Sequence, residues 1–417
     1  MRIKQIFKGK NTRTLTKNFS ALAILQVLRY LIPIIVLPYV TPIIGLEHFG
    51  EIAIANSFTL VVQVFVNYSF GFMGARDIAR FRDDKEKLSK IVSTTIFSYV
   101  LLYFMMILLS TGFIFIIPRF RIIWQVIAIS LVIPLVSALV CEWFFQGVEQ
   151  MQNITIVNAL SRVVFITLVF VFLKKKEDYL LYPLFNAIGF VIAALYSIIV
   201  IVYKYKCKII KPALKSIIAY IKQGKDIFLN QSCVSLLNKM PNLFLGILSG
   251  SVSAGLYDAA FRLQDAGYHA VDTLNRTFFP FLARRMDKHN AYRRINFVFA
   301  LVISLLLFAF APFLVKLLYA QEFTPAVSLL RILAVSVLFL GISSAYGVNH
   351  LLLIGEERLV RNITFCVTGG GLVLLVVMIR LYNETGAAIS MVIINAVFAL
   401  TYFIAAKRIS KVSSTIK

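Results

Sequence analysis

Charge is scarce in this 417-residue chain, at 15% of residues, against about 25% in an average soluble domain. Two or three soluble domains of this combined length would need far more polar surface than that supplies. Acidic residues are scarcest: 19 Asp+Glu stand against 43 Lys+Arg, a formal excess of +24. The four cysteines, Cys141, Cys207, Cys233 and Cys366, lie far apart and form no CxxC or His/Cys cluster. They read as reduced, structural thiols, so no metal and no cofactor is expected. The chain also lacks a GxxxxGK[ST] loop, an HExxH helix and a GxSxG elbow, the usual carriers of phosphate, zinc and acyl-transfer chemistry. It is not read as an enzyme. Residues 1–17 are polar and basic, without the short apolar core of a cleavable signal peptide.

What is abundant is apolar. Hydrophobic residues make up 59%, with 36 Phe and 18 Tyr, and the mean hydropathy is +0.84. Lipid is therefore the expected solvent. A spanning helix needs about 20 mostly apolar residues. Twelve such runs are found, at 18–41, 50–73, 91–117, 123–146, 154–173, 180–202, 227–249, 255–281, 296–319, 325–351, 362–381 and 386–406. The expected fold is an all-α polytopic membrane protein, with twelve helices in two six-helix halves around a central cavity. With the N-terminus inside, thirty of the 43 basic residues fall in cytoplasmic segments and seven on the other side, as the positive-inside rule requires. Both termini are then cytoplasmic. Dropping the charged run at 255–281 would put the arginines from Arg284 to Arg294 outside, so it is kept. A nucleic-acid partner, which needs basic residues on one solvated patch, is not expected.

The halves are taken as 1–202 and 227–417, joined by a basic cytoplasmic connector at 203–226. In that connector Pro212 can open and Gly224 close a short amphipathic helix with Leu214, Ile217, Ile218 and Ile221 on one face. A headgroup-level helix and a plain basic tether both fit. A shift of 205 residues superposes Gln26 on Gln231, Gly45 on Gly250, Gly50 on Gly255, Ala55 on Ala260 and Arg80 on Arg285. These pairs suggest a parallel internal repeat.

Six basic residues remain inside runs: Arg29, Arg162, Lys239, Arg262, Arg276 and Arg331. Each costs at least ~2.5–3.5 kcal/mol at a helix centre facing lipid, so they are expected to line a wet, cationic, substrate-binding cavity. In the eighth run Asp258, Arg262, Asp265, His269, Asp272 and Arg276 recur every three or four residues as one helical stripe. Internal ion pairs and an anion site both account for Arg262 and Arg276. Asp258, Asp265, His269 and Asp272 are candidates for ion coupling, and His269 can relay protons or be structural. Polar stripes place Gln26, Asn56, Gln63, Asn67, Asn158, Gln231, Asn238 and Asn242 on the same cavity.

Several segments carry a resemblance. Leu37-Pro38-Tyr39, Phe49-Gly50, Tyr68-Ser69-Phe70-Gly71 and Ala75-Arg76-Asp77-Ile78-Ala79 resemble the first-hairpin pattern of polysaccharide repeat-unit (O-antigen) flippases. So do Glu142-Trp143-Phe144-Phe145-Gln146-Gly147 and Gly255-Leu256-Tyr257 with Arg262. These transporters belong to the multidrug/oligosaccharidyl-lipid/polysaccharide exporter superfamily. The resemblance implies an undecaprenyl-diphosphate-linked oligosaccharide, moved from the cytoplasmic to the periplasmic leaflet of the bacterial inner membrane by ion-coupled alternating access. It implies membrane lipids, a polysaccharide polymerase and a chain-length regulator as partners. A drug/cation antiporter of the same superfamily is the alternative, disfavoured by a net-positive lumen. A membrane polysaccharide polymerase would be expected to carry a long external loop.

Overall fold

A long apolar run in lipid must satisfy its backbone within itself, and helices do so. A computed structural model describes residues 10–229, 237 and 239–415, with side chains described from 32 to 409 within those. Among the described residues there is no strand. The helices are α1 (Lys10–Asn67), α2 (Phe70–Phe81), α3 (Lys85–Ile116), α4 (Pro118–Ile122), α5 (Trp124–Ser130), α6 (Val132–Leu139), α7 (Glu142–Gly147) and α8 (Met151–Phe172). They continue as α9 (Leu181–Ile199), α10 (Leu214–Gln223), α11 (Met240–Leu248), α12 (Ser251–Leu282), α13 (His289–Leu318), α14 (Ala326–Ser343) and α15 (Glu357–Thr415).

The solvent is legible in α3. It buries Ser89, Ser93, Thr95 and Ser98 and exposes Phe104, Leu108, Phe115 and Ile116. In water that face would be inverted. Small polar residues inside and large apolar ones outside are how helices pack in a bilayer. Eight segments are long and apolar enough to cross a membrane. Four features separate that number from the twelve expected runs. The first two runs share α1, broken at Gly45 (φ 73°, ψ 172°). The last two share α15, broken at Asn383 (φ 48°, ψ −129°). The seventh is cut by residues outside the description, and the eighth forms α12 but is too charged to qualify as apolar.

At Asn383 the chain doubles back. Gly386 packs on the Met378 carbonyl and Gly371 on Ile394, and Thr364 Oγ1 lies 3.0 Å from Tyr402 Oη. Each pair straddles the break at a similar midpoint, the signature of an antiparallel helical hairpin.

The chain divides into two compact units, Met1–Ile44 with Phe58–Ser232, and Gly45–Ser57 with Cys233–Lys417. In the first unit α8 and α9 pair as a hairpin, with Gly189 against the Ser161 carbonyl. The connector is anchored there: the Lys208 and Ile210 amides donate to Ser89 and Ser93 Oγ at 3.0 and 2.9 Å. Its helix, α10, ends at Gly224 as expected. It buries Ile217 and stacks Tyr220 on Phe70, 5.7 Å between centroids. Burial pushes the Tyr220 hydroxyl up to about 12 and raises the Cys207 thiol.

In the second unit, α13 and α14 lie antiparallel, tied by Ser304 Oγ to Ala334 O and Asn296 Nδ2 to Gly341 O, both 2.8 Å. The segment 45–57 of α1 packs on the start of α12. Gly250 (φ 104°, ψ −179°) precedes α12 in nearly the same backbone conformation as Gly45, a region essentially reserved for glycine. Gly50 approaches so closely that a Cβ would sit 1.8 Å from the Ser251 carbonyl, and one on Gly255 would sit 3.0 Å from the Leu46 carbonyl. Under the 205-residue shift Leu46 becomes Ser251 and Gly50 becomes Gly255. The contact is therefore reciprocal, as across a local two-fold axis.

Candidate functional site

In the first unit, two of the segments quoted for the resemblance, 68–79 and 142–147, pack against one another. α2 presents Gly74 to the face of Trp143 and Ile78 to Gly147, and Cys141, left-handed at φ 52°, turns the chain into α7. Beside this knot lies a cavity of about 420 Å³ lined by Gln63, Asn67, Ser137, Glu142, Gln146 and Asn158. Its aromatic walls include Tyr68, Phe72, Trp143 and Phe190. Gln63 donates to Ser137 Oγ at 3.0 Å, and Asn158 to Glu142 Oε1 at 2.6 Å. Arg162, one turn further along α8, donates to Asn186 Oδ1 at 3.4 Å and sits 5.5 Å from the Phe190 centroid. Amides, a carboxylate and flat aromatic faces in one hollow can bind hydroxyl-rich, ring-shaped groups by hydrogen bonding and stacking.

The second unit carries the charged stripe of α12. Asp258, 7% exposed, receives Asn242 Nδ2 at 2.8 Å and Arg262 Nε at 2.5 Å. Further along, His269 lies 3.4 Å from Asp265, and Arg276 lies 2.6 Å from Asp272. Thus the stripe is internally paired, and Arg262 and Arg276 each have a carboxylate partner one turn away. The Arg276 side chain is 82% exposed.

Other expected residues are placed apart. Lys239 precedes α11 and is partly buried, and Asn56 is partly buried within 45–57. Arg331 is exposed, 5.5 Å from the Phe308 centroid, beside a shallow apolar hollow with Ile389 and Ile393. It sits on the second turn of α14 rather than at a helix centre, where a long side chain can reach the interface by snorkelling. The side chains of Gln26 and Arg29, and all of Gln231 and Asn238, lie outside the described residues.

Sequence reasoning missed two sets. Glu142, Trp143 and Gln146 were read as a family signature and not as cavity wall; their position beside Asn158 depends on the Cys141 turn. A buried cluster was also missed. Tyr292 Oη donates to Asn275 Oδ1 at 2.7 Å, Asn349 Nδ2 donates to Tyr292 Oη at 2.5 Å, and the His289 and His350 rings lie 4.5 Å apart. Asn349 and His350 belong to a π-helical stretch, Ser344–Leu352, a local form enriched at functional positions.

This polytopic α-helical fold is shared with solved membrane proteins. It is similar to a multidrug resistance MATE family transporter of the MOP superfamily in its inward-facing conformation, with a TM-score of 0.68 at 17% identity over 95% of this chain and 99% of that one. Lipid II flippase MurJ, inward closed, gives a TM-score of 0.73 at 14% identity over 92% of this chain and 87% of that one. Residues 15–286 match the family described as "Polysaccharide biosynthesis protein", and the chain belongs to that family. A relative from Escherichia coli (strain K12), named "Putative O-antigen transporter", is 25% identical over 91% of this chain and 94% of its own length. One from Shigella dysenteriae with the same name is 25% identical over 83% and 88%. Both relatives are named as transporters, and this chain is a multi-pass membrane protein of the polysaccharide biosynthesis family.

Proposed function

We propose that this protein flips a lipid-linked oligosaccharide, an O-antigen or related repeat unit on undecaprenyl diphosphate, from the cytoplasmic to the periplasmic leaflet. The observation that carries this reading is the first-unit hollow, where Gln63, Asn67, Asn158 and Glu142 meet aromatic walls inside a chain of the polysaccharide family. Sugar hydroxyls pair with the amides, and the diphosphate pairs with arginine, whose fork geometry matches phosphate oxygens. Arg162 lies over Phe190, a wall of that hollow, and Arg29 and Lys239 extend the proposed anion path, from which the exposed Arg331 is left out. Twelve helices in two six-helix halves would alternate access around a central cavity in the inner membrane, with both termini cytoplasmic. Asp265 and His269 are proposed as the ion-coupling pair. The test is a deletion strain carrying variants: Asn158→Ala with Arg162→Gln should abolish surface polysaccharide and build up lipid-linked glycan in the inner leaflet. Normal polysaccharide with no build-up sinks the site assignment. Flipping in vesicles that persists after proton and sodium gradients are collapsed sinks the coupling.

A further inference from the structure

A second hollow, remote in sequence from the first, lies between α13, α14 and the second arm of α15. Its volume is about 720 Å³, within the ~300–1,000 Å³ of ligand sites. One end is cationic. Arg293 and Arg294, from the second turn of α13, line it and no carboxylate does. Arg293 is oriented by neutral groups alone: Nη1 donates to Tyr346 Oη at 3.2 Å, Nη2 donates to Asn290 Oδ1, and the guanidinium lies 5.1 Å from the Tyr346 centroid. Among the described residues neither arginine has an ion pair. Lys407 Nζ sits 4.7 Å from the centroid of Phe403, whose ring meets Tyr346 edge-on at 5.2 Å. A third cation thus lies over one of the rings that line the hollow.

The other end is apolar, walled by Phe297, Phe339, Ile342 and Leu400. Phe297 and Leu400 are 44% and 57% exposed, so this end opens sideways towards lipid. Inward it is closed by Ala345 and Ala399, both buried, and by Asn296, whose amide nitrogen donates to the Gly341 carbonyl. A charged rim at helix ends and an apolar slot opening to the bilayer match a lipid with an anionic head. Beyond the rim the walls are mostly apolar, with one unpartnered polar atom, the Asn296 Oδ1; such a slot suits acyl chains better than a hydroxyl-rich sugar.

We infer that this groove binds one anionic phospholipid, its phosphate between Arg293 and Arg294 and its upper acyl chains along Phe297, Phe339 and Leu400. Basic pockets between membrane helices recognise such headgroups by charge and hydrogen bonding. The inference is independent of what the protein transports.

The test uses the purified full-length protein in detergent, with thermal unfolding followed as lipid is titrated. Phosphatidylglycerol should raise the melting temperature saturably, and phosphatidylethanolamine with the same acyl chains should not. Replacing both arginines with glutamine should shift half-saturation about tenfold to higher lipid. Leu400→Trp, which fills the slot and keeps the cations, should weaken the response likewise and decides the matter if the double variant does not fold. Equal responses to the two lipids overturn the assignment, as does a phosphatidylglycerol response unchanged in both variants. Displacement of phosphatidylglycerol by undecaprenyl phosphate at lower concentrations than phosphatidylglycerol itself needs would also overturn it, reassigning the groove to the transport substrate.

Discussion

Asp258 is held by two donors from different positions in the second unit, Asn242 and Arg262, and has almost no contact with solvent. Breaking a buried pair by removing one partner costs ~3–5 kcal/mol, most of it the stranded charge. The Arg262 side chain keeps 35% exposure, so Asp258→Asn should fall at the low end of that range, read as a lowered melting temperature. The double variant Asp258→Asn, Arg262→Gln should recover most of the loss; no recovery would mean that Asp258 matters for something other than its arginine. Arg162 and Arg331 looked alike in sequence, as isolated arginines in apolar runs. Arg162 lies beside the polar hollow, whereas Arg331 covers Phe308 at the protein surface. Substituting each with glutamine separates them: a severe loss of surface polysaccharide for Arg162, and near-normal levels for Arg331.

At the scale of elements, the breaks in α1 and α15 and the turn before α12 rest on single residues. Asn383 sits at positive φ, where a β-branched side chain costs of order 1–3 kcal/mol. Asn383→Val should destabilise accordingly in thermal unfolding, while Asn383→Gly should be tolerated apart from the lost Ser249 hydrogen bond. The crossing of 45–57 with α12 has no room for a methyl group at Gly50. Gly50→Ala should therefore cost ~1–3 kcal/mol through overpacking. Gly370→Ala, on a helix face with open space, should not. The connector offers another test. Cys207 is buried, its thiol raised by that burial, beneath a segment pinned by Ser89 and Ser93. Removing both hydroxyls should increase the rate at which maleimide labels Cys207, with Cys141 unchanged.

For the whole molecule, the basic excess that would mark a soluble protein as a nucleic-acid binder has a different origin here. Most of it lies in segments between spans, and α3 turns its large apolar side chains outward. The 205-residue repeat was legible as five coincident pairs and no more. The structure adds two geometric likenesses at matching positions: two glycines share a rare backbone conformation, and four residues make a reciprocal contact. Sequence spacing alone could not find this, because contact between segments two hundred residues apart leaves no local periodicity.

By itself the sequence determined the solvent, the helical class, most helix ends and the α12 stripe. Those follow from local hydropathy and the 3.6-residue period, which act over neighbouring residues. Only the tertiary structure decided how the polar residues are used. It drew Gln63, Asn67 and Asn158 to Glu142, paired Arg262 and Arg276 with their own helix's aspartates, and set Arg331 at the surface. The physical reason is that a polar group in an apolar run must find some partner, but the run does not specify which. That choice is made by packing, where small residues such as Gly50, Gly74 and Gly255 let helices approach.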